Sequence, residues 1–159
     1  AILGAPSRIG GRALFLDRFS YQEKWDLEAS PIASYPKQTS GVIRAAFAVY
    51  PQAGISAWLA DSTATGASAR GPSIVLAPDG TVKVGLGSDQ EPSSLKVKTS
   101  RWHLIELQLD LNRHIAKTTV NGQTVATGAS EIQGVDQLHL RPTSRGSSLV
   151  DSVTVTRQK

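Results

Sequence analysis

The side chains of this sequence best suited to binding chemistry are aromatic, basic and amide groups on strand-like runs. Trp58 lies on an apolar run, and an indole ring can stack on the apolar face of a sugar or on a base. Alternation with period two places every second residue on one face of a strand. Polar groups on such a face could bind hydroxyl or anionic groups, and an arginine there could bind a carboxylate or sulfate through two parallel hydrogen bonds. The candidate ligand-binding residues are Trp58, Arg44, Tyr50, Gln137, His139 and Arg141.

Each of these candidates also has an ordinary structural interpretation. Trp58 can be packed in a hydrophobic core, and the polar candidates can form a solvated outer face of a sheet. Trp102 begins a strand-like run and is expected to be a core or edge anchor. His103 shares an apolar alternation, which favours a buried or edge histidine over a ligand.

The acidic residues and histidines do not form a known catalytic pattern. Glycoside hydrolysis needs paired carboxylates, and the nearest arrangement is Asp26 and Glu28, for which a solvated surface is the alternative. No H-x-H or H-E-x-x-H pair supports zinc, and neither G-x-S-x-G nor a phosphate-binding glycine motif is present. The sequence therefore leans against an enzyme but leaves the question of catalysis open.

Composition narrows the class of protein. The 159 residues include 17 Lys and Arg against 13 Asp and Glu, for a net charge of +4, and they include no Cys. The absence of Cys excludes disulfides and thiolate metal sites. The basic residues are scattered, so a nucleic-acid-binding tail is not indicated, and no apolar run is long enough for a membrane span. The mild basic excess fits either solubility or attraction to an acidic polymer.

Residues 101–128 show the clearest secondary-structure pattern. From His103 to Leu111, apolar residues occupy the odd positions after the histidine, which predicts a strand with one buried face. The pair Asn121-Gly122 lies between two β-rich runs. This pair is the strongest short-range hairpin signal, because a type I′ turn needs positive φ at both central residues. The middle of the chain is therefore predicted to be antiparallel sheet.

The whole chain predicts about ten or more strands at short, even spacing between Gly and Pro turns, without a convincing helix. This pattern is typical of an all-β fold, an antiparallel β-sandwich of jelly-roll type. Residues 1–12 are Gly-rich and are predicted to be a linker or an edge segment, and residues 13–159 a single domain. Loops are predicted at residues 61–71, which we expect to be flexible, at 87–94, and over most of 21–38 around one short strand near Trp25.

The order of these signals resembles the concanavalin A-like, laminin-G-like jelly roll of the lectin/glucanase superfamily. The resemblance implies two packed antiparallel sheets, with ligands on a concave sheet or at loops on its rim. It covers about residues 13–156. The matching pieces are F-x-D-x-F at 15–19, G-x-I-x-x-x-F at 41–47, the Pro-Asp-Gly turn at 78–80, the Trp-led strand at 102–110, V-N-G-x-x-V at 120–125 and the closing strand VDSVTV at 150–155.

The resemblance also implies a structural calcium ion, which many members carry near their paired chain ends. The candidate ligands are Asp17 and Asp151, together with backbone carbonyls. A hard cation needs several oxygen ligands, and this sequence has few clustered carboxylates. The alternative for Asp151 is a polar group that closes a hydrogen-bond network at the start of a strand.

These observations favour a non-catalytic carbohydrate-binding module, with a glycan or an acidic polysaccharide as its partner. Because the chain contains no Met, we expect a mature form or an excised domain, an accessory part of a larger secreted or cell-surface bacterial protein. One alternative is a structural or protein-interaction sandwich, which a core-buried Trp58 would favour. Another is a glycoside hydrolase or a polysaccharide lyase, which would need Tyr50, His139, Arg44 and Gln137 to meet in one cleft.

Overall fold

The structure of the chain is a computed structural model that describes residues 2–5, 13–18, 33–87, 89–144 and 146–159. For residues 2–5, 13–18, 146 and 147 the description covers the backbone alone. The predicted strand near Trp25 and the acidic pair Asp26 and Glu28 lie outside the described residues.

The described chain consists of strands and one short 3₁₀ turn, Gly66–Ser68. The strands are β1 (Ile2–Ala5), β2 (Ala13–Arg18), β3 (Ala33–Gln38), β4 (Val42–Tyr50), β5 (Ile55–Ala60), β6 (Arg70–Leu76), β7 (Thr81–Gly85), β8 (Glu91–Lys96), β9 (His103–Asp110), β10 (Ile115–Val120), β11 (Gln123–Ala129), β12 (Val135–Arg141) and β13 (Gly146–Gln158). Nowhere in this part of the chain does a helix reach the length and apolarity needed to cross a membrane.

Two antiparallel sheets confirm the predicted all-β sandwich. The seven-stranded sheet has the order β1-β2-β13-β4-β9-β10-β11, and the six-stranded sheet has the order β3-β12-β5-β6-β7-β8. Neighbours in each sheet come from distant parts of the sequence, for example β4 between β13 and β9. This crossing connectivity is that of a jelly roll rather than of simple consecutive hairpins.

Among the described strands, three at sheet edges lie in segments without a clear strand pattern; two of them are in predicted loops, and β1 is in the segment predicted to be a linker or an edge segment. They are β1 in the segment 1–12, β3 in the segment 21–38, and β8, which overlaps the segment 87–94. An edge strand buries less of its surface, so its apolar alternation is weak. Pro36 in β3 and Pro92 in β8 also interrupt the strand signal, and proline is tolerated at an edge because one side lacks a partner.

The core lies between the sheets and comes from alternate positions of their inner strands. In β9 every second residue is buried and the residues between are partly exposed, as the period-two pattern predicts. In β4 the most bulky buried side chain is Phe47, which is 0% exposed. The residues of these and the facing strands that pack into one hydrophobic cluster include Ile43, Val49, Ile55, Leu59, Ile74, Ile105, Leu107, Leu109, Leu138 and Val150.

The predicted hairpin is present between β10 and β11. Asn121 and Gly122 have φ angles of 51° and 81°, the left-handed conformation that a type I′ turn requires. The Asn121 side-chain amide also bonds to Nδ1 of His103, at 3.0 Å. His103 is 7% exposed, and its Nε2 lies 2.6 Å from the Lys98 carbonyl oxygen. The structure thus confirms a buried, satisfied histidine at this position.

The closing strand β13 changes face at a bulge. Ser152 has a φ of 56°, and the pairing with β4 shifts between Asp151 and Thr154. An extra residue at a bulge reverses which side chains point inward. Val155 therefore pairs beside the core-facing Ala45, whereas Asp151 pairs beside Ala48 on the outer face. Simple alternation, which would place Asp151 and Val155 on one face, is wrong here.

Candidate functional site

Strand β5 of the six-stranded sheet carries Trp58 on the face that points away from the core. Ala57 and Leu59 are fully buried between the sheets, so alternation turns Trp58 outward. Pairing with β12 places His139 directly opposite Trp58. On the other side of β5, a bulge after Trp58 in the pairing with β6 brings Arg70 to the same region.

Four side chains form what we call the stacked cluster on this outer face: Trp58, His139, Arg70 and Arg141. The rings of Trp58 and His139 are nearly parallel, with centroids 4.8 Å apart and an interplanar angle of 9°. The Cζ atoms of Arg70 and Arg141 lie 4.4 Å and 5.2 Å from the centroid of the Trp58 ring. Both distances fall within the range of cation–π attraction. The cluster therefore gathers two fixed positive charges around one indole.

The indole of Trp58 is covered by this arrangement. Trp58 is only 5% exposed, although it is not a member of the hydrophobic cluster between the sheets. The ring thus has no open face on which a sugar could stack, and it is not packed in the core either. We call the indole of Trp58 the platform, because His139 of β12 and Arg70 of β6 pack against it. The groups that the platform presents are guanidiniums.

The environment of His139 favours the neutral form of the imidazole. Burial, followed by the positive charges of Arg70 and Arg141, lowers the pKa of His139 below its ordinary value, and Asp136 opposes this weakly. The Nε2 atom lies 2.9 Å from Oε1 of Gln137. With the Gln137 amide in this orientation its carbonyl oxygen accepts, so the tautomer that satisfies the contact carries its proton on Nε2. Three of the predicted candidates on β12, Gln137, His139 and Arg141, are thus brought together with Trp58.

The segment after β5 is held at the rim of the cluster by two carboxylates. Asp61, which is 4% exposed, accepts hydrogen bonds from the backbone N–H and hydroxyl of Thr63 at 3.0 Å and 2.8 Å. Nζ of Lys37 lies 2.8 Å from Oδ2 of Asp61. Asp136 accepts a hydrogen bond from the backbone N–H of Ser62 at 2.9 Å, and a second from the Ser62 hydroxyl. The loop predicted to be flexible is therefore tied to β3 and β12 at its start.

Replacing Asp61 with asparagine should lower the free energy of unfolding at neutral pH by about 1–2 kcal/mol, because a buried, charge-assisted network is lost. Burial opposes ionisation of Asp61, but the hydrogen bonds from Lys37 and Thr63 outweigh it and lower the pKa of the carboxyl. A carboxyl whose pKa is lower in the folded state stabilises the fold above its unfolded-state pKa, about 4, and loses this contribution as pH falls through the folded-state pKa.

The measurement for Asp61 is urea denaturation of the wild type and Asp61→Asn from pH 2 to pH 7. We expect the two stability curves to converge at the acidic end. The exposed Asp89 supplies the control, since Asp89→Asn should follow the wild type throughout. A constant difference between wild type and Asp61→Asn at every pH would show that the ionised carboxylate is not the stabilising group.

Comparison with known proteins identifies the fold. No protein-family model and no curated protein matches the chain. Among solved structures, a sialidase superposes with a TM-score of 0.62 at 11% identity, over 79% of this chain and 14% of the sialidase. A galectin of Caenorhabditis elegans superposes with a TM-score of 0.56 at 14% identity, over 91% of this chain and 96% of the galectin. The chain has a concanavalin A-like jelly-roll fold.

A third structure with this jelly roll is an alginate lyase from Pseudomonas aeruginosa. It superposes with a TM-score of 0.55 at 11% identity, over 76% of this chain and 66% of the lyase. The chain thus spans a small part of the sialidase, about two thirds of the lyase and almost the whole galectin. At these sequence identities the similarity concerns the fold alone, and no site residue of this chain can be assigned from it.

Within the jelly roll, the six candidate ligand-binding residues separate into two groups. Trp58, Gln137, His139 and Arg141 share the six-stranded sheet, whereas Arg44 and Tyr50 lie on β4 of the seven-stranded sheet. The Nε atom of Arg44 donates to Glu106 at 2.9 Å. Tyr50 makes an edge contact with Trp102, with ring centroids 5.7 Å apart. The four residues of the lyase hypothesis, which include Arg44 and Tyr50, therefore do not meet in one cleft.

The two candidate calcium ligands of the jelly roll are separated along β13. Asp17 pairs with Ser147, four residues before Asp151, which corresponds to about 13 Å along the strand. The Asp17 side chain lies outside the described residues, and Asp151 accepts a hydrogen bond from the backbone N–H of Ser152 at 2.7 Å. Across the described ranges, no group of three or more His, Asp or Glu could hold a metal ion. Calcium at Asp17 and Asp151 stays a prediction.

Arg70 is the member of the stacked cluster that the sequence analysis did not predict. It follows the run of small polar residues after β5, where it resembles any other solvated arginine. The signal that could have found it is the strand pairing of β5 with β6 across a short connection. That pairing depends on a bulge between Trp58 and Ala60, which the local sequence does not mark.

Proposed function

We propose that this chain is a non-catalytic carbohydrate-binding module, that its binding face is the outer face of the six-stranded sheet, and that its ligand is an acidic polysaccharide. The observation that carries the proposal is the placement of two guanidiniums against one indole on that face. A guanidinium held in a fixed plane can bind a carboxylate or a sulfate through two parallel hydrogen bonds. The stacked cluster thus supplies the donors for an anionic group on a sugar.

Two further observations support this proposal. The fold is shared with galectins, which are carbohydrate-binding proteins, and with an alginate lyase, whose named substrate is an acidic polysaccharide. The net charge of +4 attracts polyanions at long range.

A binding role is favoured over a catalytic one by the separation of the lyase residues. His139 has Gln137, Trp58 and two arginines as its neighbours, while Tyr50 and Arg44 belong to the opposite sheet. A lyase needs a proton donor and acceptor near the same sugar carbon. The described residues offer no tyrosine beside His139, since Tyr35 packs against the core.

The second candidate is a protein-interaction domain without a sugar site. The burial of Trp58 favours this candidate, because a covered indole cannot stack on a sugar. A sugar-stacking aromatic is missing from the described part of the six-stranded sheet, so the case for a glycan rests on the arginines.

We further propose that the module is an accessory domain of a larger extracellular bacterial protein. The 14% of the sialidase that the chain covers shows that such a fold occurs within a much longer chain.

The test is affinity electrophoresis in gels that contain alginate or neutral dextran, with Arg141→Gln and Arg70→Gln beside the wild type. Retardation by alginate alone is expected, with each variant bound at least about tenfold more weakly, because a charge-assisted pair is worth roughly 1.5–3 kcal/mol. Arg113→Gln is the matched control, since Arg113 is exposed in the turn between β9 and β10 and carries the same charge.

The outcomes separate the candidates. Equal weakening by Arg113→Gln would mean that net charge alone attracts the polymer. Absence of retardation in both gels would favour the protein-interaction domain, and a fall in polymer size during the experiment would show catalysis.

A further inference from the structure

We propose that His139 is the third cation of this site, and that it becomes one by taking up a proton when an anionic group binds beside Arg70 and Arg141. This inference rests on the proposed function, because it requires an anionic ligand on the stacked cluster. It assigns a specific role to a histidine that the proposed function alone does not need. It also predicts that affinity increases as the pH falls.

The geometry places the imidazole ring of His139 beside the proposed anion site. The imidazole is stacked on Trp58, with centroids 4.8 Å apart, and Arg70 and Arg141 lie over the same indole. Its Nε2 atom already holds a proton against Gln137 at 2.9 Å. Within the described chain no hydrogen bond to Nδ1 is found, so this is the atom that would accept a second proton.

The charges around His139 come from every strand packed against it. On its own strand β12, Arg141 is repulsive and Asp136 is weakly attractive to an imidazolium. From β6, Arg70 is repulsive. On the side of β5, His139 stacks on the neutral ring of Trp58. Asp61, directly after β5, is paired with Lys37 of β3. Burial, followed by the positive balance of these charges, lowers the pKa of His139 and favours the neutral imidazole in the free protein.

An anionic ligand reverses this balance. A carboxylate or sulfate bound beside either guanidinium offsets its charge at His139, and the ligand's own negative charge favours an imidazolium. If the ligand raises the affinity of His139 for a proton, the proton must raise the affinity for the ligand by the same factor. Between the free and bound pKa values of His139, affinity should therefore fall by up to about tenfold for each unit of increasing pH.

The experiment is isothermal titration calorimetry with dextran sulfate from pH 5.0 to pH 8.0. Sulfate esters stay ionised over this whole range, so the ligand itself contributes no titration. At pH 6.5, titrations in two buffers with different heats of ionisation measure proton uptake directly. For the wild type we expect tighter binding at pH 5.0 than at pH 8.0 and uptake of a fraction of one proton per site.

Two variants separate His139 from the other histidines. His139→Gln keeps a polar side chain at the site but cannot become a cation, so its affinity should be independent of pH and its binding should take up no proton. His114→Gln is the matched control, because His114 is exposed in the turn between β9 and β10; it should keep the wild-type pH dependence. Should His139→Gln fail to fold, the ring resonances of His139 in the wild type report the same linkage by NMR, as an increased pKa after ligand is added.

Binding that shows the same pH dependence in His139→Gln as in the wild type would overturn this inference and leave the proposed function intact. Binding that leaves the His139 resonances at their ligand-free pKa would do the same. Absence of binding to dextran sulfate and alginate at every pH would overturn the proposed function, and this inference with it.

Discussion

Replacing Trp58 with alanine should weaken the binding of acidic polysaccharides by about 100-fold, although the indole itself has almost no exposed surface. The ring lies against Arg70, Arg141 and His139, so its removal frees all three side chains at once. Cation–π contacts contribute roughly 0.5–2 kcal/mol each, and ordering a free arginine again on binding costs further free energy. The loss should therefore exceed that of either single arginine variant.

Two matched variants show whether the loss at Trp58 comes from the platform. Trp58→Phe keeps an aromatic face beneath the guanidiniums and should retain most of the affinity. Trp102→Ala removes an equally large ring from the other sheet, where it contacts Tyr50, and should bind like the wild type. Binding is measured by affinity electrophoresis, and circular dichroism must show that each variant is folded at the temperature of the measurement. Unchanged binding by a folded Trp58→Ala would mean that the arginines are positioned without the indole.

Replacing Phe47 with alanine should destabilise the fold by about 3–5 kcal/mol, which is a large fraction of the roughly 5–15 kcal/mol that stabilises a typical domain. Phe47 is 0% exposed and lies in β4, between β13 and β9 of the seven-stranded sheet. Its neighbour across the β4–β9 pairing, Ile105, is also fully buried. The cavity left by the phenyl ring is lined by side chains that strand pairing prevents from closing in.

Urea denaturation gives the free energy of unfolding for Phe47→Ala and for the more conservative Phe47→Leu. The leucine variant should lose less than about 1.5 kcal/mol, because it keeps most of the buried volume. If the free energy of unfolding of the alanine variant fell no further than that of the leucine variant, the two sheets would have to collapse around the missing ring. That result would contradict the rigid packing that the two sheets impose on this position.

Several elements of the jelly roll follow from local sequence. Strand β9 is predictable because one of its faces is buried and the other is partly exposed, so apolar and polar residues alternate along it. The hairpin at Asn121 and Gly122 was predicted because few residue pairs tolerate positive φ at two successive positions. Both signals arise within a few residues and need no information about distant strands. They were sufficient for an antiparallel sandwich.

The edge strands and the bulge in β13 were not predictable in this way. Among the described strands, β3 and β8 each pair on one side only, and both contain proline, so their residues lack the pattern of a half-buried strand. The bulge at Ser152 inserts one residue, and a shift of one residue moves every later side chain to the opposite face. Local alternation would therefore place Val155 and Asp151 on one face, whereas the fold separates them.

By itself, the sequence of this protein determined an all-β sandwich, the outward direction of Gln137, His139 and Arg141, and the lack of a known catalytic motif. Only the tertiary structure decided that Arg70 joins Trp58, that Arg44 and Tyr50 lie on the opposite sheet, and that the indole is a covered platform. The physical reason is that side-chain direction along a strand is a local property with period two. Which strands become neighbours, and in which register, depends instead on packing between residues that are far apart in the sequence.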